Sequence, residues 1–107
     1  MNAELLDCTI RDGSYVIDGQ WSKDNVGNIT NALSKAGIKY IEVGNGIGLG
    51  AHRKGVKSIC TDLEYVQIAS INKGNASLGA FFIPGIGTKE DIEMFAAEGG
   101  DFIRIGC

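Results

Sequence analysis

Two eight-residue stretches constrain the fold more than anything else in the chain. Gly37-Ile38-Lys39-Tyr40-Ile41-Glu42-Val43-Gly44 aligns with Gly99-Gly100-Asp101-Phe102-Ile103-Arg104-Ile105-Gly106, 62 residues further on. Each reads as a glycine stop, a short polar step, an apolar strand with one charge inside it, and a second glycine. Half of that shift, about 31 residues, is the length of a strand, a helix and the crossover between them. The repeat therefore predicts an α/β chain of the pattern β-α-β-α-β-α-β, with parallel strands and right-handed crossovers.

The elements follow in order. Ser22 reads as a helix N-cap, with Val26, Ile29, Leu33 and Ala36 at helical spacing and Gly37 as the stop. Tyr40–Gly44 is the second strand, with Ile41 and Val43 on one face and Glu42 on the other. Residues 45–60 form a long glycine-rich loop carrying His52, Arg53, Lys54 and Lys57. Thr61-Asp62-Leu63-Glu64 has capping-box spacing and opens a helix that runs to about Lys73. Leu78–Ile83 is the third strand, broken by Pro84-Gly85. Thr88 caps the next helix, with Ile92, Phe95 and Ala96 turned inward, and Phe102–Gly106 is the fourth strand.

The first strand is the unusual one. In Leu5-Leu6-Asp7-Cys8-Thr9-Ile10-Arg11-Asp12-Gly13, alternation sends Leu5, Asp7, Thr9 and Arg11 to one face and Leu6, Cys8 and Ile10 to the other. A strand opening an αβ pattern is expected to be buried on both faces, so its polar face must line something other than bulk water. Ligands in parallel α/β folds sit outside the carboxyl ends of the strands, where this charge lies. The same residues also fit a strand-end salt bridge between Asp7 and Arg11 beside a Gly13 turn, and residues 14–21 then read as a loop.

Asp7-Cys8-Thr9-Ile10-Arg11-Asp12-Gly13 resembles the D-x-T-[LI]-R-D-G signature of the metal-dependent aldolase and acyl-lyase superfamily, the hydroxymethylglutaryl-CoA lyase-like proteins. Ile41–Gly50 is similar to the E-V-G-H-G-x-G-L-G stretch of the 4-hydroxy-2-oxovalerate aldolases, the members that the chain most resembles, from Leu5 to Cys107. The resemblance implies a divalent metal, Mn2+ or Mg2+, that binds a 2-oxo acid and stabilises its enolate. It implies Asp12 as a metal ligand and Arg11 as the cation facing the enolate. Asp7 is then an orienter of Arg11. Glu42 and Arg104, equivalent in the repeat, both point inward, as catalytic and supporting charges or as a plain salt-bridge layer. A closed (β/α)8 barrel takes about 250 residues. Residues 1–107 are accordingly expected to be the N-terminal half of a TIM barrel, completed by the missing C-terminal half or by self-association.

The departures matter as much. Tyr15 stands where those aldolases carry a histidine base, and Asn45, on the substrate loop, replaces the histidine of E-V-G-H-G. The family's H-x-H metal pair has no counterpart, and the lone His52 reads as a solvated loop residue. Gly44-Asn45-Gly46-Ile47-Gly48 is not a dinucleotide fingerprint, because the next helix begins about a dozen residues too late. Arg53, Lys54 and Lys57 fit either an anion-attracting substrate loop or a solvated basic one. Cys8 reads as packing, and neither it nor Cys107 is assigned a nucleophilic role. A net charge of −3 argues against nucleic acid. No run of about 18 apolar residues suggests a membrane span. Three scattered cysteines favour a reducing, cytoplasmic setting over a disulfide framework. The expectation is the N-terminal part of a metal-dependent lyase. The alternative is a barrel fragment or assembly module that has lost the base and the metal-binding histidines.

Overall fold

A computed structural model describes residues 4–106. Four parallel strands, β1 (Leu6–Asp7), β2 (Tyr40–Glu42), β3 (Ser77–Phe82) and β4 (Phe102–Ile105), form one sheet in the order β1-β2-β3-β4. This sequential parallel order, with helices between the strands, is the topology of the first half of a (β/α)8 barrel.

The first strand is much shorter than alternation predicts. β1 ends at Asp7, and α1 (Thr9–Val16) takes over the charged segment as a helix. The cause is local. The Asp7 carboxylate accepts from the Thr9 backbone N–H at 2.9 Å and from its hydroxyl at 3.0 Å, folding the chain back before a second pair of strand residues forms. Ile10 and Ser14, one turn apart, then become the buried residues of α1. Asp7 and Thr9 therefore close a turn and do not share an inner strand face with Arg11. Among the described residues no hydrogen bond or ion pair joins Asp7 to Arg11. Cys8 is corrected too: it is half-buried, and its thiol donates to Asp12 Oδ2 at 3.2 Å. Cys107 lies outside the described residues.

The other helices start where their caps are. α2 (Lys23–Lys35), α3 (Asp62–Asn72) and α4 (Lys89–Ala97) follow Ser22, Thr61 and Thr88, whose hydroxyls accept from Asn25, Glu64 and Asp91 N–H groups in reciprocal capping boxes. Ala96 is exposed, and the inward residues of α4 are Asp91 and Phe95. Within the long loop, Ala51–Lys54 forms a short 3-10 turn.

The two faces of the sheet differ in chemistry. Ile41, Leu78 and Ala80 point toward the helices and pack with Val26, Tyr65, Val66, Ala69 and Phe95 in the core. The opposite face carries the intervening residues Tyr40, Glu42, Gly79, Phe81, Phe102 and Arg104. Register places Glu42 beside Gly79 and Phe81 beside Arg104. Tyr40 and Phe102 meet edge to face, with centroids 5.9 Å apart, beneath the charged layer.

Candidate active site

Glu42 is the centre of that layer. It is fully buried, and its two oxygens are shared by two guanidinium groups. Arg11 Nε donates to Oε1, while Arg104 donates from Nε to Oε2 at 2.7 Å and from Nη2 to Oε1 at 2.8 Å. The carboxylate in turn holds the Arg104 guanidinium even more firmly protonated than usual. A lone buried carboxylate is strongly disfavoured, and three charge-assisted hydrogen bonds offset that cost. The equivalence of positions 42 and 104 in the repeat thus becomes a direct ion pair.

Arg11 arrives from α1 and is held at every nitrogen. Besides Glu42, Nη1 donates to the Gly46 carbonyl at 2.7 Å and Nη2 pairs with Asp12 Oδ1 at 2.9 Å. Its side chain is only 12% exposed. Phe81, which the sequence analysis passed over, lies beneath both cations. The Arg11 and Arg104 guanidinium carbons sit 4.6 and 4.8 Å from its ring centroid. The signal for Phe81 was available in strand alternation: it is two residues beyond Gly79, on the same face as Glu42. Gly46 contributes through its carbonyl, which no side-chain pattern reports.

Tyr15 also reaches this region. It is 63% exposed, and its ring packs on Gly46 so closely that any Cβ there would strike it. The two lie on the rim of a cavity of about 390 Å³ lined by Ser14, Asp18, Val56 and Lys57. Asn45 is placed differently. It is buried, its Oδ1 has no hydrogen-bond partner among the described residues, and it lines a separate cavity with His52, Ser58, Asp62 and Met94. Burial pushes the Asp62 carboxyl above its ordinary range, although it accepts from Gly50 N–H at 2.8 Å. Arg53 clasps Asp91 with Nη1 and Nη2, at 2.7 and 2.9 Å, and tethers the loop to α4.

The structure therefore brings Arg11, Asp12, Glu42, Arg104 and, through Gly46, Tyr15 together, and leaves Asn45 apart; Asp7 lines an open cavity with Asp12. The donor set does not complete a metal site. Asp12 is a 59% exposed carboxylate, suited to a hard cation. Among the described residues, no three His, Cys, Asp or Glu side chains come together as ligands.

The model of the HMGL-like family matches residues 2–97. The chain belongs to the HMGL-like family. Among curated relatives, the oxaloacetate decarboxylase of Mycobacterium tuberculosis (strain ATCC 25618 / H37Rv) is 40% identical over 101 residues, covering 94% of this chain and 30% of that protein. A 4-hydroxy-2-oxovalerate aldolase of Geobacillus genomosp. 3 is 36% identical over 103 residues, with 94% and 30% covered. 4-Hydroxy-2-oxovalerate aldolase 6 of Rhodococcus jostii (strain RHA1) is 36% identical over 106 residues, with 97% and 30% covered. This HMGL-like chain thus spans about 30% of the length of the curated relatives it matches.

Proposed function

We propose that this chain is the N-terminal part of a lyase that breaks the C3–C4 bond of a 2-oxo acid, between the carbons alpha and beta to its carbonyl. The observation that carries the reading is the buried Glu42, which fixes two guanidinium groups on the inner face. Cleaving oxaloacetate to carbon dioxide, or 4-hydroxy-2-oxovalerate to an aldehyde, leaves the same three-carbon enolate. A pre-organised guanidinium stabilises negative charge as it develops on that carbonyl oxygen, without the reorganisation water requires. Arg11, held on every nitrogen, is built to keep one orientation while the charge appears. Tyr15 serves at the rim as a hydrogen-bond donor and proton relay, since a phenol is a weak base at neutral pH.

A divalent metal belongs to this reading. Asp12 offers one carboxylate to it, and the remaining ligands would come from the rest of the barrel. The setting proposed for the whole protein is the cytoplasm, and its partner is the remainder of the barrel.

The test is pyruvate release. The chain is incubated with oxaloacetate and with 4-hydroxy-2-oxovalerate, plus Mn2+ or Mg2+. It is assayed alone, and joined to the segment of the Geobacillus aldolase that follows the matched region. The expected outcome is negligible turnover alone and metal-dependent turnover, abolished by chelation, in the joined protein. A folded joined protein inactive on both compounds removes the lyase reading.

A further inference from the structure

We infer that Arg104 is a direct binding residue for a second carboxylate, so that the inner face selects 2-oxo acids carrying two acid groups. The inference rests on the lyase reading and deepens it by naming the substrate class. It begins from the difference between the two arginines that share Glu42. A guanidinium has five N–H donors arranged along distinct edges. Arg11 is engaged at Nε, Nη1 and Nη2 by Glu42, Gly46 and Asp12, so each of its nitrogens already has a partner. Arg104 gives only one edge, Nε with Nη2, to Glu42. Its Nη1 has no hydrogen-bond partner among the described residues, and its side chain is 41% exposed. Nη2 spends one of its two N–H groups on Glu42, so the Nη1–Nη2 edge still presents a donor from each nitrogen: an open fork, the geometry that takes a carboxylate with two parallel hydrogen bonds.

That fork is also held in place. Glu42 fixes one edge of the group, and the Phe81 ring supports the guanidinium at 4.8 Å. Little side-chain freedom is left to lose when an anion arrives, which favours binding. Both arginines donate to Glu42 Oε1, so one small four-carbon diacid can reach both. In this arrangement Arg11 lies at the carbonyl end and Arg104 takes the far carboxylate. A substrate with a neutral hydroxyalkyl group there leaves the open fork without its best partner.

The experiment uses two unreactive probes of equal chain length, malate and 2-hydroxybutyrate, which differ by a carboxylate against a methyl group. Each is titrated calorimetrically into the chain. The wild type is expected to bind malate at least tenfold tighter, a difference of about 1.4 kcal/mol. Arg104→Lys is expected to retain part of that ratio, and Arg104→Gln to bring it to near one. A purely structural Arg104 would weaken both probes together and leave the ratio unchanged, which overturns the inference. The wild-type ratio needs no variant to fold, and a value near one also overturns it. The lyase reading is judged separately. Turnover in the joined protein with no malate preference sinks this inference alone. A malate preference dependent on Arg104 with no turnover sinks the lyase reading alone.

Discussion

Glu42 and Asp91 are both carboxylates gripped by arginine, and their different burial sets a different expectation for each. Glu42 is fully buried between two cations, so Glu42→Gln leaves both guanidiniums short of charge in a low-dielectric layer. Removing one partner of a buried network costs about 3–5 kcal/mol, and the urea midpoint at pH 7 should fall accordingly. Asp91 is nearer the surface, and Arg53 holds its carboxyl below the ordinary range. A depressed pKa contributes stability above the unfolded value, near 4, and loses it as pH falls through the folded one. Asp91→Asn should therefore destabilise the chain at pH 7, and by less at an acid pH below the unfolded value, in urea melts. Equal gaps at both pH values would assign Asp91 to packing or capping alone. At this scale the sequence was partly legible. The repeat pointed to the pairing of positions 42 and 104. Arg11 and Asp12 reached the site by motif, although the strand assigned to them was wrong. Phe81 and the Gly46 carbonyl were missed, because an aromatic on a strand and a backbone oxygen carry no charge pattern.

The elements with hydroxyl caps were readable because each cap is a local device. Ser22, Thr61 and Thr88 all satisfy backbone donors that would otherwise be orphaned. Thr61→Ala is expected to cost about 1 kcal/mol, while Thr61→Gly costs only a few tenths. Thermal or urea unfolding of the two variants checks this, and equal losses would show that the threonine methyl, not the cap, matters. α1 was not readable for a related reason. Its N-cap position is Cys8, which makes no side-chain cap bond, and the signal sits one residue earlier in Asp7. Gly13 lies inside the helix with the Trp21 ring against it, where a glycine usually suggests a stop. The apolar and polar residues of Leu5–Asp12 alternate well enough to mimic a strand, and a turn at Asp7 overrides that alternation. The structural consequence favours function: the switch to helix lifts Arg11 over the end of β2, where it meets both Glu42 and Gly46.

At the scale of the molecule the dominant fact is an open sheet. β1 and β4 are its two edges, and each has unpaired backbone groups on its outer side among the described residues. Parallel strands normally have neighbours on both sides and cover on both faces. Here the edges also carry apolar side chains, with Leu6 38% and Ile105 68% exposed, and Leu5 beside them. The half-barrel reading was legible from the repeat and the length, since four βα units of about 31 residues cannot close. It also sets the last expectation. A parallel edge at β4 matches a parallel edge at β1, so a second copy related by a two-fold axis along the barrel direction satisfies both edges at once. That pairing would place two Arg11–Glu42–Arg104 layers face to face, with their open guanidinium forks turned toward each other. Like charges resist this contact unless anions or water lie between them. Sedimentation at micromolar concentration is therefore expected to show self-association of the isolated chain, strengthened by malate and absent from the joined protein, whose remaining strands already cover both edges. A clean monomer at all concentrations, unfolding cooperatively, would mean that two open parallel edges cost this fold less than their exposed backbone and apolar side chains imply.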